Sequence, residues 1–315
     1  MPAVAIPVTE QVPAAGPRRP LGGLLVLLLA ALHAPGAPAQ SPPREAPPAG
    51  RRVFITGHSF HMPIVQPLDQ IVASAGINGH RLVDKQGIGG SSVTKHWELP
   101  DDKDKARKAI KAGEVDVLTL APNRDPMPDP AIDKFTALLL EHNPRGRVTA
   151  QASWYPMDGP GNDPRTFTNA KRDAADPSTF RKTWAPFLDK LRDQVKELNA
   201  KYDATAHRQV VFLVPVGDAV IRLRERVARG EVPGIAAQSA LFRDNLGHGK
   251  EPISVLTAYC HFAVTYGRNP VGLPVPAFLK AAGLGEDTEK VNRILQEVAW
   301  EAVTAEPLSG VKPAA

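Results

Sequence analysis

The sequence predicts an α/β fold, a three-layer α/β/α sandwich on a mostly parallel five-stranded sheet. Three observations carry this. Five short apolar runs alternate with segments of helical periodicity. One of those segments, Phe180–Leu198, shows an unbroken stripe of Phe180, Trp184, Phe187, Leu188, Leu191, Val195 and Leu198 at steps of three and four. And the first four runs each close on a segment of Gly, Ser or Asn, as strands do when they end on one sheet edge.

In chain order, the first 39 residues read as a leader rather than as fold. Arg18 and Arg19 precede a nearly all-aliphatic stretch from Leu21 to Leu32, and Ala37-Pro-Ala39 supplies a small-x-small cleavage pattern. That stretch is too short to span a bilayer, so no integral span is expected once the leader is removed, and the mature chain is expected to be secreted or periplasmic. An uncleaved N-terminal anchor is the alternative. Pro42, Pro43, Pro47 and Pro48 make residues 40–50 a solvated linker, and 51–315 is then the folded domain.

The first strand is Val53–Thr56. It stops at Gly57, and Ile64, Val65, Leu68, Ile71 and Val72 repeat at helical spacing behind Ser59. Arg81–Asp84, Val115–Leu120, Val148–Ala152 and Val210–Val214 are the other four strands. Lys103–Ala112, Ile132–Leu140, Ile253–Tyr266 and Lys290–Val303 join Phe180–Leu198 as helices. Between Tyr155 and Pro177 the chain is rich in Gly, Pro, Asp and Asn without periodicity, the pattern of a lid, a binding loop or a surface insertion.

Composition removes several function classes. Without Arg18, Arg19 and Glu10, 36 of the 38 Lys and Arg side chains face 32 of the 33 acidic ones, and no basic cluster is interleaved with aromatics. Nucleic-acid binding is therefore not expected. Cys260 is the single cysteine, so no internal disulfide forms, and its apolar helical setting marks it as a small buried hydrophobe. Calcium-loop, Walker-loop and paired-cysteine zinc patterns are absent from the sequence, and His58-x-x-His61 is not the i, i+4 pair of zinc hydrolases. A site of His58, His61, His96 and His248 is the remaining metal reading; no metal or cofactor is expected.

The chemistry-bearing residues lie at the strand ends. Ser59 sits on the turn after the first strand, and a serine hydroxyl becomes a nucleophile only when an adjacent base takes its proton. His248, in Asp244-Asn-Leu-Gly-His248, is the candidate base, with Asp244 the carboxylate that could orient it. Gly89 and Gly90 let the backbone approach a ligand closely, and Asn123 offers an amide; read singly, these residues could merely turn or cap the chain. Trp97 and Trp154 are candidates for the pocket mouth or for the core.

Taken together, the blocks resemble the SGNH (GDSL-type) hydrolase superfamily over roughly Arg51 to Gly272. They are Gly57-His-Ser59-Phe60, Gly89-Gly90-Ser91-Ser92, Ala121-Pro-Asn123, and Asp244 with His248. Gly89 to Trp97 and Tyr266 to Gly272 are similar to segments of an exported bacterial subgroup with Gly-Asn-Ser-Phe in its first block. The resemblance implies a flavodoxin-like sheet and a serine ester hydrolase. Ser59 would be the nucleophile, His248 the base and Asp244 its orienter, with Ser59, Gly90 (or Gly89) and Asn123 as oxyanion donors. An acetylated carbohydrate or another small ester would be the substrate; an SGNH-fold binding or scaffold protein without turnover is the rival. The chain departs from the pattern at His58, Ala121 and Arg124, which stand in place of Asp, Gly and Asp. It also departs in the four-residue step from Asp244 to His248 where three is usual. Gly247 could absorb the extra residue in a left-handed turn.

Overall fold

The computed structural model describes residues 47–312, together with Gly16. The expected leader and residues 40–46 of the Pro-rich linker lie outside the described residues. Five strands, β1 (Arg52–Gly57), β2 (Arg81–Gly87), β3 (Val117–Leu120), β4 (Arg147–Gln151) and β5 (Val211–Val214), form one parallel sheet in the order β2-β1-β3-β4-β5. Ten α-helices connect and cover them among the described residues: α1 (Val65–Ser74), α2 (Val93–Trp97), α3 (Lys105–Lys111), α4 (Pro130–His142), α5 (Asn169–Ala174), α6 (Phe180–Ala206), α7 (Val216–Ala228), α8 (Glu251–Tyr266), α9 (Ala277–Lys280) and α10 (Thr288–Ala305).

Alternation along the strands divides the core in two. Val53, Ile55, Val117, Phe212 and Val214 face α1, α7, α8 and α10, whereas Phe54, Leu118, Val148, Ala150, Val211 and Leu213 face α3, α4 and α6. Strands buried on both faces are what a sheet covered by helices on each side requires. The expected three-layer sandwich is thus the observed one.

Two differences have plain causes. The α7 helix was not expected, because Arg222, Arg224, Glu225 and Arg226 interrupt the apolar reading; yet Val216, Val220, Leu223 and Val227 form a buried stripe at steps of four and three. Nor does Ser59 lead directly into a helix: a 3-10 turn at Met62–Ile64 intervenes and α1 begins only at Val65. Edge strand β5 is protected from the side. Asn199 of α6 accepts from the N–H groups of Val210 and Val211, both at 2.9 Å, and donates to the Val211 carbonyl at 2.8 Å. Such cover satisfies the Val210–Val211 end of an edge on which sheets can otherwise pair. No described helix is long and apolar enough to cross a membrane.

Candidate active site

The sheet order reverses direction between β1 and β3, and in open α/β sheets ligands bind in the crevice beyond the strand ends at that point. Ser59 follows β1 and Asn123 follows β3, so both border it. The turn at Ser59 needs a glycine before it. A Cβ on Gly57 would lie 2.7 Å from both Ala121 Cβ and His61 Nδ1, so no larger residue fits. After the turn, the N–H groups of His61 and Met62 both donate to the His58 carbonyl, at 2.9 and 3.2 Å.

The structure brings three of the named residues into one hydrogen-bonded chain. Ser59 Oγ lies 2.9 Å from His248 Nε2, and His248 Nδ1 lies 2.6 Å from Asp244 Oδ2. Asp244 reaches His248 despite the additional residue, because Gly247 takes φ +100°. That conformation also turns the Gly247 and His248 N–H groups onto Asp244 Oδ1, at 2.9 and 3.1 Å. Burial alone would raise the Asp244 carboxyl. The hydrogen bonds from the His248 ring and from the two backbone N–H groups outweigh it and hold the carboxyl below its ordinary value. Replacing Gly247→Ala should therefore cost about 1–3 kcal/mol in backbone strain. A fall in both the urea midpoint and kcat is the expected outcome; an unchanged midpoint would show that the turn is not strained by a Cβ.

His248 sits in a loop pinned from outside. Phe242 and Gly249 form an antiparallel bridge at its base. Four successive carbonyls within it are held: Asp244 and Asn245 by Arg172 at 3.0 and 2.8 Å, Leu246 by the Met157 N–H at 2.9 Å, and Gly247 by Trp154 Nε1 at 3.0 Å. Arg172 belongs to α5 and is fully buried, its guanidinium lying over Phe167 and Phe242. Asp158, at φ +63°, pairs with Arg224 of α7 at 2.7 and 2.8 Å. The segment from 155 to 177 is thus not structureless: it contains α5 and braces the histidine loop. Sequence reasoning missed Arg172, Asp158 and Arg224: an arginine that grips backbone carbonyls leaves no periodic trace, and the Asp158–Arg224 pair joins residues 66 positions apart.

The surrounding cavity, about 200 Å³, is lined by Ser59, Gly90, Asn123, Arg124, Trp154 and Leu246 among others. Gly90, rather than Gly89, faces it, at φ +65°. Asn123 is oriented at both ends of its amide, accepting from the Arg124 N–H at 2.8 Å and donating to the Gly90 carbonyl at 3.1 Å. The backbone N–H groups of Ser59 and Gly90 have no hydrogen-bond partner among the described residues.

His58 fills the usual Asp position as a neutral ring. Burial, with the Arg124 and His96 charges adding to it, lowers its pKa to about 4. Phe60 N–H donates to His58 Nδ1 at 3.2 Å, which leaves the proton on Nε2. His61 and His96 are likewise enclosed, against Thr119 Oγ1 at 3.2 Å and Ser91 Oγ at 2.8 Å. Among the described residues, no group of three or more His, Cys, Asp or Glu side chains is placed to hold a metal ion. Cys260 is buried, and burial pushes its thiol up.

The tryptophans divide. Trp154 lines the cavity but stacks on Phe60, with centroids 4.6 Å apart and planes 6° apart. Trp97 is not at the cavity; it packs edge-on against Phe135, with Arg107 and Lys134 over its ring.

No family model and no curated protein matches the chain. Among solved structures, a DUF4886 family protein from Bacteroides uniformis is similar at a TM-score of 0.50 and 15% identity, covering 84% of this chain and 98% of its own. A provisionally assigned SGNH hydrolase from Slackia heliotrinireducens gives 0.40 at 14% identity, covering 67% of this chain and 97% of that one. A provisionally assigned GDSL-like lipase from Parabacteroides merdae gives 0.42 at 13% identity, covering 77% and 100%. At such identities only the fold is shared: a three-layer α/β/α sandwich on a parallel five-stranded sheet.

Proposed function

We propose that the protein hydrolyses carboxylic esters through an acyl-enzyme on Ser59. The observation that carries this reading is the continuous chain from Ser59 Oγ through both nitrogens of His248 to Asp244, with contacts of 2.9 and 2.6 Å. Ser59 Oγ attacks the ester carbonyl while His248 Nε2 takes its proton. The carbonyl π pair moves to oxygen, where the N–H groups of Ser59 and Gly90 and the Asn123 amide hold the negative charge. As the tetrahedral intermediate collapses, His248 returns the proton to the departing alkoxide. Water, deprotonated by the same ring, then releases the acid and frees Ser59. Asp244 keeps the Nδ1 proton in place throughout and stabilises the imidazolium.

The cavity of about 200 Å³ supports a short acyl chain, and an acetylated carbohydrate is the finer substrate reading. A secreted or periplasmic location is part of the same proposal and rests on the leader-like first 39 residues.

The Asp244→Asn variant tests the arrangement with p-nitrophenyl acetate as substrate. An Asn can still accept from the backbone N–H groups through its oxygen, but its NH₂ then faces His248 Nδ1. The ring proton is driven to Nε2, which can no longer accept from Ser59. A kcat lower by roughly 10²–10⁴-fold, with a retained urea midpoint, is expected. Wild-type turnover by this variant would remove Asp244 from the mechanism.

A further inference from the structure

The residue after Asn123 is an arginine where the family pattern has an aspartate, and its side chain is unusual for its setting. Arg124 is half-buried and lines the same cavity as Ser59. Its guanidinium carbon stands 4.4 Å from the centroid of the Tyr155 ring, a stack that limits its rotamers. No carboxylate among the described residues pairs with it; burial disfavours its charge, and Tyr155 alone offsets this. Buried Arg224 and half-buried Arg181, by contrast, have acidic partners, in Asp158 and in Asp218 and Glu225. A desolvated guanidinium beside a reactive serine, with its planar donors uncommitted, is poised for a planar anion. The cavity lining contains this one cation and no acidic residue, since His58 is neutral. One positive charge matches a singly charged carboxylate better than a doubly charged phosphate.

We infer that the ester hydrolysed at Ser59 carries a carboxylate, and that Arg124 binds it. The inference deepens the esterase reading and, for its kinetic arm, rests on it. The carboxylate could belong to either half of the ester, and two matched pairs separate these cases. For the alcohol half, 4-acetoxybenzoate is compared with its methyl ester. For the acyl half, mono-4-nitrophenyl succinate is compared with 4-nitrophenyl methyl succinate. The readout is the ratio of kcat/KM for the charged and neutral members. Comparing that ratio between wild type and variants cancels intrinsic reactivity. Arg124→Gln should lower it roughly tenfold or more in one pair, and Arg124→Lys, which keeps the charge but not the planar fork, should restore part of it. High salt should narrow the wild-type preference as well.

A second measurement does not depend on hydrolysis. The unreactive amide analogues of both charged esters, 4-acetamidobenzoate and the succinic mono-4-nitroanilide, are titrated calorimetrically into wild type and Arg124→Gln, with their methyl esters as controls. Weaker binding of one charged amide alone by the variant is the expected result, and it would stand even if Ser59 proved not to be the nucleophile. Equal ratios in wild type and Arg124→Gln for both pairs, together with calorimetric affinities unchanged by the substitution, would overturn the assignment.

Discussion

Substituting Ser59→Ala should abolish p-nitrophenyl acetate hydrolysis, lowering kcat by roughly four to six orders of magnitude. The residual rate would come from binding and from the oxyanion donors alone. The substitution removes one oxygen from a turn whose shape is set elsewhere, by Gly57 and by the hydrogen bonds that close on the His58 carbonyl. The native fold and urea midpoint should therefore persist, and His248 should remain paired with Asp244. A fluorophosphonate probe offers the complementary measurement: wild type becomes labelled on Ser59 and loses activity, while the variant takes up no label. Undiminished hydrolysis by the alanine variant would end the serine mechanism and favour a fold kept for binding.

Acid should unfold this protein with unusual steepness. Among the described residues, four histidines lie in the interior: His58, His61, His96 and His261. Burial lowers His58 and His96 to about 4 and His261 to about 3; burial, then the neighbouring His261, lowers His61 as well. In the unfolded chain each titrates near 6.5. Below about pH 6.5, then, the unfolded state binds protons that the native state refuses, and the free energy of unfolding falls as pH falls. The loss levels off only once the pH passes below the folded values. With up to four such protons the slope can reach about 5 kcal/mol per pH unit, enough to exhaust the stability of an ordinary domain within one to three units. Asp244, held low by His248 and Gly247, acts in the same direction only at still lower pH. Urea unfolding at pH 7, 6 and 5 checks this: a midpoint that collapses toward pH 5 is expected. His96→Gln, which removes one titrating ring, should flatten the slope by about 1.4 kcal/mol per pH unit. Constant stability from pH 7 to pH 4.5 would mean that these rings are protonated without cost.

How much of this was legible beforehand varies with the kind of contact. The sheet and α6 were readable because their signals repeat: Phe54 and Ile55 are apolar on both faces, and Trp184 to Leu198 recur on one side of a helix. Ser59, Asn123, Asp244 and His248 could be named from the order of short blocks at strand ends, although nothing periodic joins them. Whether Asp244 spans the extra residue was a question of one backbone dihedral, at Gly247, which the sequence permits but does not determine. The α7 stripe was present but masked by the charges between its apolar residues. Arg172 was invisible, since its shortest hydrogen bonds go to carbonyl oxygens that every residue carries. Trp97 was left open between pocket mouth and core, because a tryptophan near a glycine-rich turn suits either; it packs against Phe135.

The loop that carries His248 is gripped through main-chain oxygens at four successive positions, 244 to 247. Such a grip is indifferent to the side chains at Asn245 and Leu246. Leu246 is also part of the cavity wall. A change of size at Leu246 can therefore alter the cavity wall while the four carbonyl contacts that seat the imidazole are kept. Within five residues, 244 to 248, the main chain seats the imidazole and one side chain shapes the cavity wall.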